Sequence, residues 1–293
     1  MSTQKPIWKL KEWAQQNNKI YPNLLSLNPN AIDYLEKNQE LINWCWLSEN
    51  PNAIHLLEKN IDKISWLYLS KNPNAIHLIK KYINKIDWYI LSGNPNAISI
   101  LEQNMDKIDW GRLSKNPNAI HLLEKNLDKI DWFTLSWNPN AGELLEKNQD
   151  KIQWYFLSQN PAVINLLKQN PSKIDWLYLS QNPNAISMLE QNVEKINWTY
   201  LSSNKNAAHI IEQNLNKIDW VRLSENPNAI YILEQNQNKI NSYMFSHNPS
   251  IFELDYEAML LAFEPIARGI IEHVWHPSRM DKWPEPAFDD CFI

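Results

Sequence analysis

Nine lysines recur at intervals of 22 residues: Lys63, Lys85, Lys107, Lys129, Lys151, Lys173, Lys195, Lys217 and Lys239. A line of ammonium groups at fixed spacing has the chemistry to track a polyanion. The competing role is packing, with each lysine laying its stem over the tryptophan three residues later and keeping its charge in water. An acidic column, Glu58, Glu102, Glu124, Glu146, Glu190, Glu212 and Glu234, runs parallel to it. Interleaved charges favour packing. The net charge of −5 likewise argues against a general nucleic-acid binder, which should be basic. Polyanion binding through the lysines therefore stands only as an alternative.

His55, His77, His121 and His209 also share a column. A full repeat between neighbours is too far for them to ligate one metal, whose ligands lie about 2 Å away. His273 and His276 could meet Cys291, but a polar helix end is the expected role. No phosphate loop, dinucleotide fingerprint, zinc-protease motif or nucleophile elbow is present. The expectation is a protein without catalytic residues, metal or cofactor, and not an enzyme.

The positions that vary between copies are better candidates for recognition. Trp46, Tyr68, Arg112, Trp137, Tyr178, Tyr200 and Arg222 stand at such positions. Tyrosine, tryptophan and arginine are common interface anchors. Solenoids bind through one long face in which framework positions are fixed and surface positions differ. These seven residues are the expected partner-binding face, with the completion of packing between copies as the rival role.

What must position them is a repeat. Its proline falls at Pro29, Pro51, Pro73, Pro95, Pro117, Pro139, Pro161, Pro183, Pro227 and Pro249, and Lys205 fills the one missing place. Such a period marks a solenoid. Asn is unbroken from Asn28 to Asn248, Ser from Ser26 to Ser246 and Ile from Ile20 to Ile240. Trp holds its column from Trp44 to Trp220 and then becomes Ser242. The Asn and Ser columns are expected to cap helices and satisfy the tight loop.

One copy, Ser114 to Leu135, predicts two short helices. Asn116 caps the first, Pro117 opens it, Ala119, Ile120, Leu122 and Leu123 form its apolar arc, and a left-handed Asn126 closes it. Asp128 starts the second, with Asp131 completing an approximate capping box. Leucine-rich coils of similar period are set aside. The position two before the invariant leucine varies from Gly111 to Tyr155, where a leucine-rich strand needs leucine. Departures at Gly142, Ala162, Val163 and Lys205 should loosen packing locally.

The fold expected is all-α: an α-solenoid of about eleven helical hairpins, about 100 Å long at the usual helix packing distance. Residues 1–27 form an N-terminal cap, 28–249 the repeats, and 250–293 a degenerate last repeat with a helical cap. That cap includes a helix from about Tyr256 to Val274, kinked at Pro265. The two cysteines, Cys45 and Cys291, are expected as free thiols in a reducing compartment. No apolar run reaches bilayer length, so no membrane span is expected.

The unit LSxNPNAIxLLExNxDKIxW, together with Trp275–Arg279 (WHPSR), resembles uncharacterised repeat proteins encoded by giant nucleocytoplasmic DNA viruses. The resemblance implies a viral origin and a helical repeat fold, and it carries no catalytic residues. The function expected is a non-catalytic scaffold that binds a protein partner along one face, with a structural virion component as the second alternative. The place expected is inside the cell, the host cytoplasm, or the virion. The oligomeric state and the partner's identity do not follow from the sequence.

Overall fold

The computed structural model describes residues 6–16 and 19–273. The chain divides into two compact units, Leu10–Phe252 and Met1–Lys9 with Glu253–Ile293. The first is an all-α solenoid with one coil per 22 residues.

A single coil shows why these residues fold as they do. Asn116 is extended, with ψ near 119°, as a residue before proline must be. Pro117 and Asn118 then form a turn rather than helix, because the Asn116 Oδ1 accepts the N–H of Asn118 at 3.0 Å. The first helix is therefore only Ile120–Glu124. Asn126 has φ −137° and is not left-handed. Its Nδ2 closes the helix end by donating to Leu122 O at 2.9 Å. A short 3-10 turn, Leu127–Lys129, follows. Ile130 is extended and buried, which breaks the expected second helix in two. That helix starts at Trp132, not Asp128. Asp131 is its N-cap, accepting the N–H groups of Phe133 and Thr134 at 3.0 and 3.2 Å. Helices this short are not stable alone. Burial between coils holds them, through Leu113, Ala119 and Leu123, all with no exposed surface.

The polar columns join the coils. Asn138 Nδ2 donates to Ser114 O and Asn116 O of the preceding coil, at 2.9 and 2.8 Å. Ser114 Oγ donates to Trp110 O at 2.7 Å and accepts the N–H of Asp131 at 3.0 Å. Both side chains are fully buried, and a buried polar group is tolerable only with its hydrogen bonds made. The same bonds recur at every step from Asn50 to Asn248.

The ladder then closes on itself. Asn28 Nδ2 donates to Ser246 O and Asn248 O, at 3.3 and 3.0 Å, so the eleventh coil serves as the one preceding the first. The serine column closes in the same register, with Tyr21 N–H donating to Ser246 Oγ at 2.8 Å. So does the second asparagine column, with Asn30 Nδ2 on Pro249 O at 3.0 Å. Ring packing adds to this seam: Trp13 lies 5.5 Å from Phe245, and Tyr34 lies 6.4 Å from Phe252. Unit Leu10–Phe252 is thus a closed ring of coils, not an open rod with two covered ends. Head-to-tail contacts close when their rotation sums to a full turn. Wedge-shaped coils supply that rotation. Second helices such as Trp44–Glu49 and Trp66–Leu69 approach closely, whereas first helices such as Ile54–Lys59 and Ile76–Lys81 are splayed. The second helices therefore form the inner side of the ring.

The expected loosening is small and local. Gln153 N–H reaches Ser136 Oγ at 3.5 Å, against about 3 Å elsewhere. Ala162 has no amide to donate to the coil before it. The asparagine ladder nevertheless passes unbroken, at 2.9 Å to both acceptors of Asn160. The space above Gly142 is taken by Ala162, and Val163 is fully buried.

Strands β1 (Trp8–Leu10) and β2 (Phe252–Leu254) pair antiparallel, framed by Lys11 N–H to Ile251 O and Asp255 N–H to Ile7 O, each 2.9 Å. In the other unit, helix Tyr256–His273 contains Pro265, as the sequence predicts. Asp255, which takes a core leucine's place, instead caps that helix by accepting the N–H of Ala258 at 3.0 Å. His276, Cys291, Trp275–Arg279 and the side chain of His273 lie outside the described residues.

Candidate interaction surface

The second helices carry two variable columns to the inner side. One begins at Trp46 and Tyr68 and includes Arg112, Tyr178, Tyr200 and Arg222. The other, directly before the asparagine ladder, includes Glu49, Lys71, Lys115, Trp137, Gln159, Gln181, Ser203, Glu225 and His247.

From Phe133 to Arg222 these positions join into one continuous run. Trp137 meets Phe133 and Phe156 edge-on at 5.4 and 4.7 Å. Tyr178 packs on Tyr155 at 5.3 Å and on Tyr200 at 5.8 Å. The Arg222 guanidinium caps Tyr200 at 4.8 Å, and Arg112 covers Tyr89 at 4.4 Å. Burial beside Tyr200 and Tyr155 raises the Tyr178 hydroxyl above its ordinary pKa. The structure thus unites Trp137, Tyr178, Tyr200 and Arg222. Arg112 stands one coil before Trp137 on the same wall. Trp46 and Tyr68 continue the column on another arc, where the adjacent column bears the Lys71–Glu49 ion pair. Packing and recognition are not exclusive here: Phe156 is buried, while Phe133 and Tyr155 leave about 40% of their surface open.

The wall is concave. A hollow of about 590 Å³ spans five coils and is lined by Lys115, Trp137, Gln159, Gln181, Ser203 and Lys205, with the turn prolines between them. Two neighbouring hollows continue it. One, about 370 Å³, lies between Tyr89, Arg112 and Trp137 and includes Asp109 and Asp131. The other, about 290 Å³, lies between Lys205, Arg222, Glu225 and His247. Two covered polar atoms on this wall, Trp137 Nε1 and His247 Nε2, have no hydrogen-bond partner. Burial holds the His247 imidazole below its ordinary pKa, with Glu225 opposing the shift.

Lys115, Gln159 and Gln181 share the variable column of Trp137 but, not being aromatic, are not among the seven expected anchors, and Lys205 reads as a defect of the proline column. The signal for the first three lay in the variability of that column.

The lysine column packs on tryptophan, but on a different one from that expected. Lys129 Nζ lies 4.8 Å over Trp110, nineteen residues earlier in the preceding coil, rather than over Trp132. The same step seats Lys63 on Trp44, Lys85 on Trp66, Lys107 on Trp88, Lys151 on Trp132, Lys173 on Trp154, Lys195 on Trp176, Lys217 on Trp198 and Lys239 on Trp220, at 4.5–5.1 Å. The histidines likewise bridge coils: His55 to Glu36, His77 to Glu58, His121 to Glu102 and His209 to Glu190, at 2.5–2.9 Å. Among the described residues, no cluster of three or more acidic, histidine or cysteine side chains could hold a metal, and no helix is long and apolar enough to cross a membrane. Cys45 is a free, exposed thiol.

These features define an all-α repeat solenoid closed through its own hydrogen-bond ladder. Comparison with family models, curated proteins and solved structures finds no match.

Proposed function

We propose that this protein is a non-catalytic interaction scaffold that seats a segment of a partner protein against the inner wall of its ring. One observation carries the reading. The variable positions of the second helices from Phe133 to Arg222 form a continuous concave run of aromatic and cationic side chains. The invariant positions are spent on the ladder, the core and the lysine–tryptophan stacks. Anchors of this kind, each partly exposed and already ordered by its neighbours, lose little side-chain freedom on binding.

The test is site-specific photo-crosslinking in the native setting. A crosslinker replacing Gln159, on the inner wall, should capture a protein that one replacing Lys125, on the outer side, does not. Arg112→Glu and Tyr178→Ala should abolish that capture without changing the helical signal in circular dichroism. Equal capture from both positions, or capture untouched by both substitutions, refutes the reading.

A further inference from the structure

We infer that the wall between Lys115 and Lys205 is the seat of an extended, acidic peptide segment. The inference rests on the interaction reading above and names the partner's chemistry.

Three observations converge. The hollow, about 590 Å³, lies within the size range of ligand pockets. Ammonium groups stand toward both of its ends and no carboxylate lines it, in a chain whose net charge is −5. Local positive charge on an acidic protein selects for an anionic ligand. Between the lysines, Gln159 and Gln181 present one carboxamide per coil. An amide both donates and accepts, as a peptide backbone requires.

The geometry of the wall also favours a peptide over a single-stranded nucleic acid. Base stacking needs an open aromatic face. The Trp137 face is covered by Lys115 Nζ at 4.9 Å, and its edges abut Phe133 and Phe156.

Lys205 is the most telling member. It replaces the proline that ten other coils use, yet the coil gains nothing from it. Asn204 makes the same two ladder bonds as elsewhere, both 3.0 Å, and Lys205 O accepts from Asn228 Nδ2 as the prolines' carbonyls do for their partners. The fold accepts proline there, so the ammonium is free to serve the hollow.

The experiment uses the full chain and a short fluorescein-labelled peptide of Glu and Asp around one Phe, read by anisotropy. Its controls are the same peptide with Gln and Asn for the acids, and an oligothymidylate. Lys205→Pro and Lys115→Gln take residues from equivalent places in other coils, so folding is preserved. The acidic peptide should bind, weaken with salt, and lose about tenfold in affinity with each substitution. The neutral peptide should bind at least about tenfold more weakly. No binding of the acidic peptide, equal binding of the neutral one, unchanged affinity in the double variant, or tighter binding of the oligonucleotide overturns the inference. Crosslinking from Gln159 that persists after any of these outcomes would leave the interaction reading standing alone.

Discussion

Closure of the ring is tested most sharply by one substitution at the seam. Asn28 and Asn138 occupy equivalent places, and both are fully buried. Asn138 donates to Ser114 O and Asn116 O, and accepts the N–H of Asn140 at 2.9 Å. Asn28 donates to Ser246 O and Asn248 O, and accepts the N–H of Asn30 at 3.1 Å. Alanine at either place removes three hydrogen bonds and leaves one carbonyl unmet, Ser114 O or Ser246 O, while Asn116 O and Asn248 O keep the N–H groups of Ala119 and Ile251. At about 1 kcal/mol net per bond, plus the penalty for the orphaned carbonyl, each variant should lose about 3 kcal/mol or more. In an open array Asn28 would have no preceding coil. Its replacement would then cost only the local cap, about 1 kcal/mol. Urea unfolding followed by circular dichroism measures both variants, compared at equal m-value. A loss of about 1 kcal/mol or less for Asn28→Ala, beside a loss of about 3 for Asn138→Ala, would refute closure.

Three further outcomes are expected. Gly142→Ala should raise stability by about 0.5 kcal/mol, because alanine at the first position of helix Gly142–Glu146 restricts the unfolded chain and its Cβ meets Ala162 O at 3.4 Å; thermal unfolding checks it. Lys129→Ala should cost about 0.5–1 kcal/mol from the lost stack on Trp110, while Lys129→Arg should retain it, both read by urea midpoint. His247 titrates below the ordinary histidine value of ~6.5 when folded, so the unfolded chain binds its proton first as pH falls. Its contribution is therefore intact above ~6.5 and is lost as pH drops through the folded value. His247→Gln should flatten the stability profile in that window relative to the parent, and an unchanged profile would refute the assignment.

The sequence shows the fold class plainly, because a 22-residue period of apolar and capping residues has few solutions. Helix bounds were less legible. Asn116 caps a turn before it caps a helix, and Ile130 is drawn into the core in an extended conformation that propensity does not foresee. Closure was hidden for a different reason. Curvature is set by the small difference in spacing between first and second helices, and identical steps carry no mark of it. Hints did lie at the ends, where Lys19, Ile20, Leu25 and Ser26 stand in register before the first full copy. The aromatic members of the inner wall were legible because they refuse to repeat. Lys115, Gln159, Gln181 and Lys205 were not, since their role depends on the concavity that brings five coils together.

The seam also explains irregularities that looked like decay. In the ring each lysine sits nineteen residues after its tryptophan. By that register Lys19 follows Ser242 around the closure, and Leu41 follows Pro22. Both partners are replaced at the Leu41–Pro22 step, and at the other the lysine remains without its tryptophan. Lys19 is buried and donates instead to Gln237 Oε1. Burial pulls its pKa down. The two coils that lack the stack flank the place where the chain must enter and leave the ring. There Trp13, Phe245, Tyr34 and Phe252 supply the missing ring packing. A closed ladder makes every coil equivalent in hydrogen bonding, so it need not spend its variable positions on covering ends. That freedom lets one arc of the inner wall become aromatic and cationic while another carries the Glu49–Lys71 pair. Closure is therefore the physical condition that lets a uniform repeat carry one chemically distinct arc.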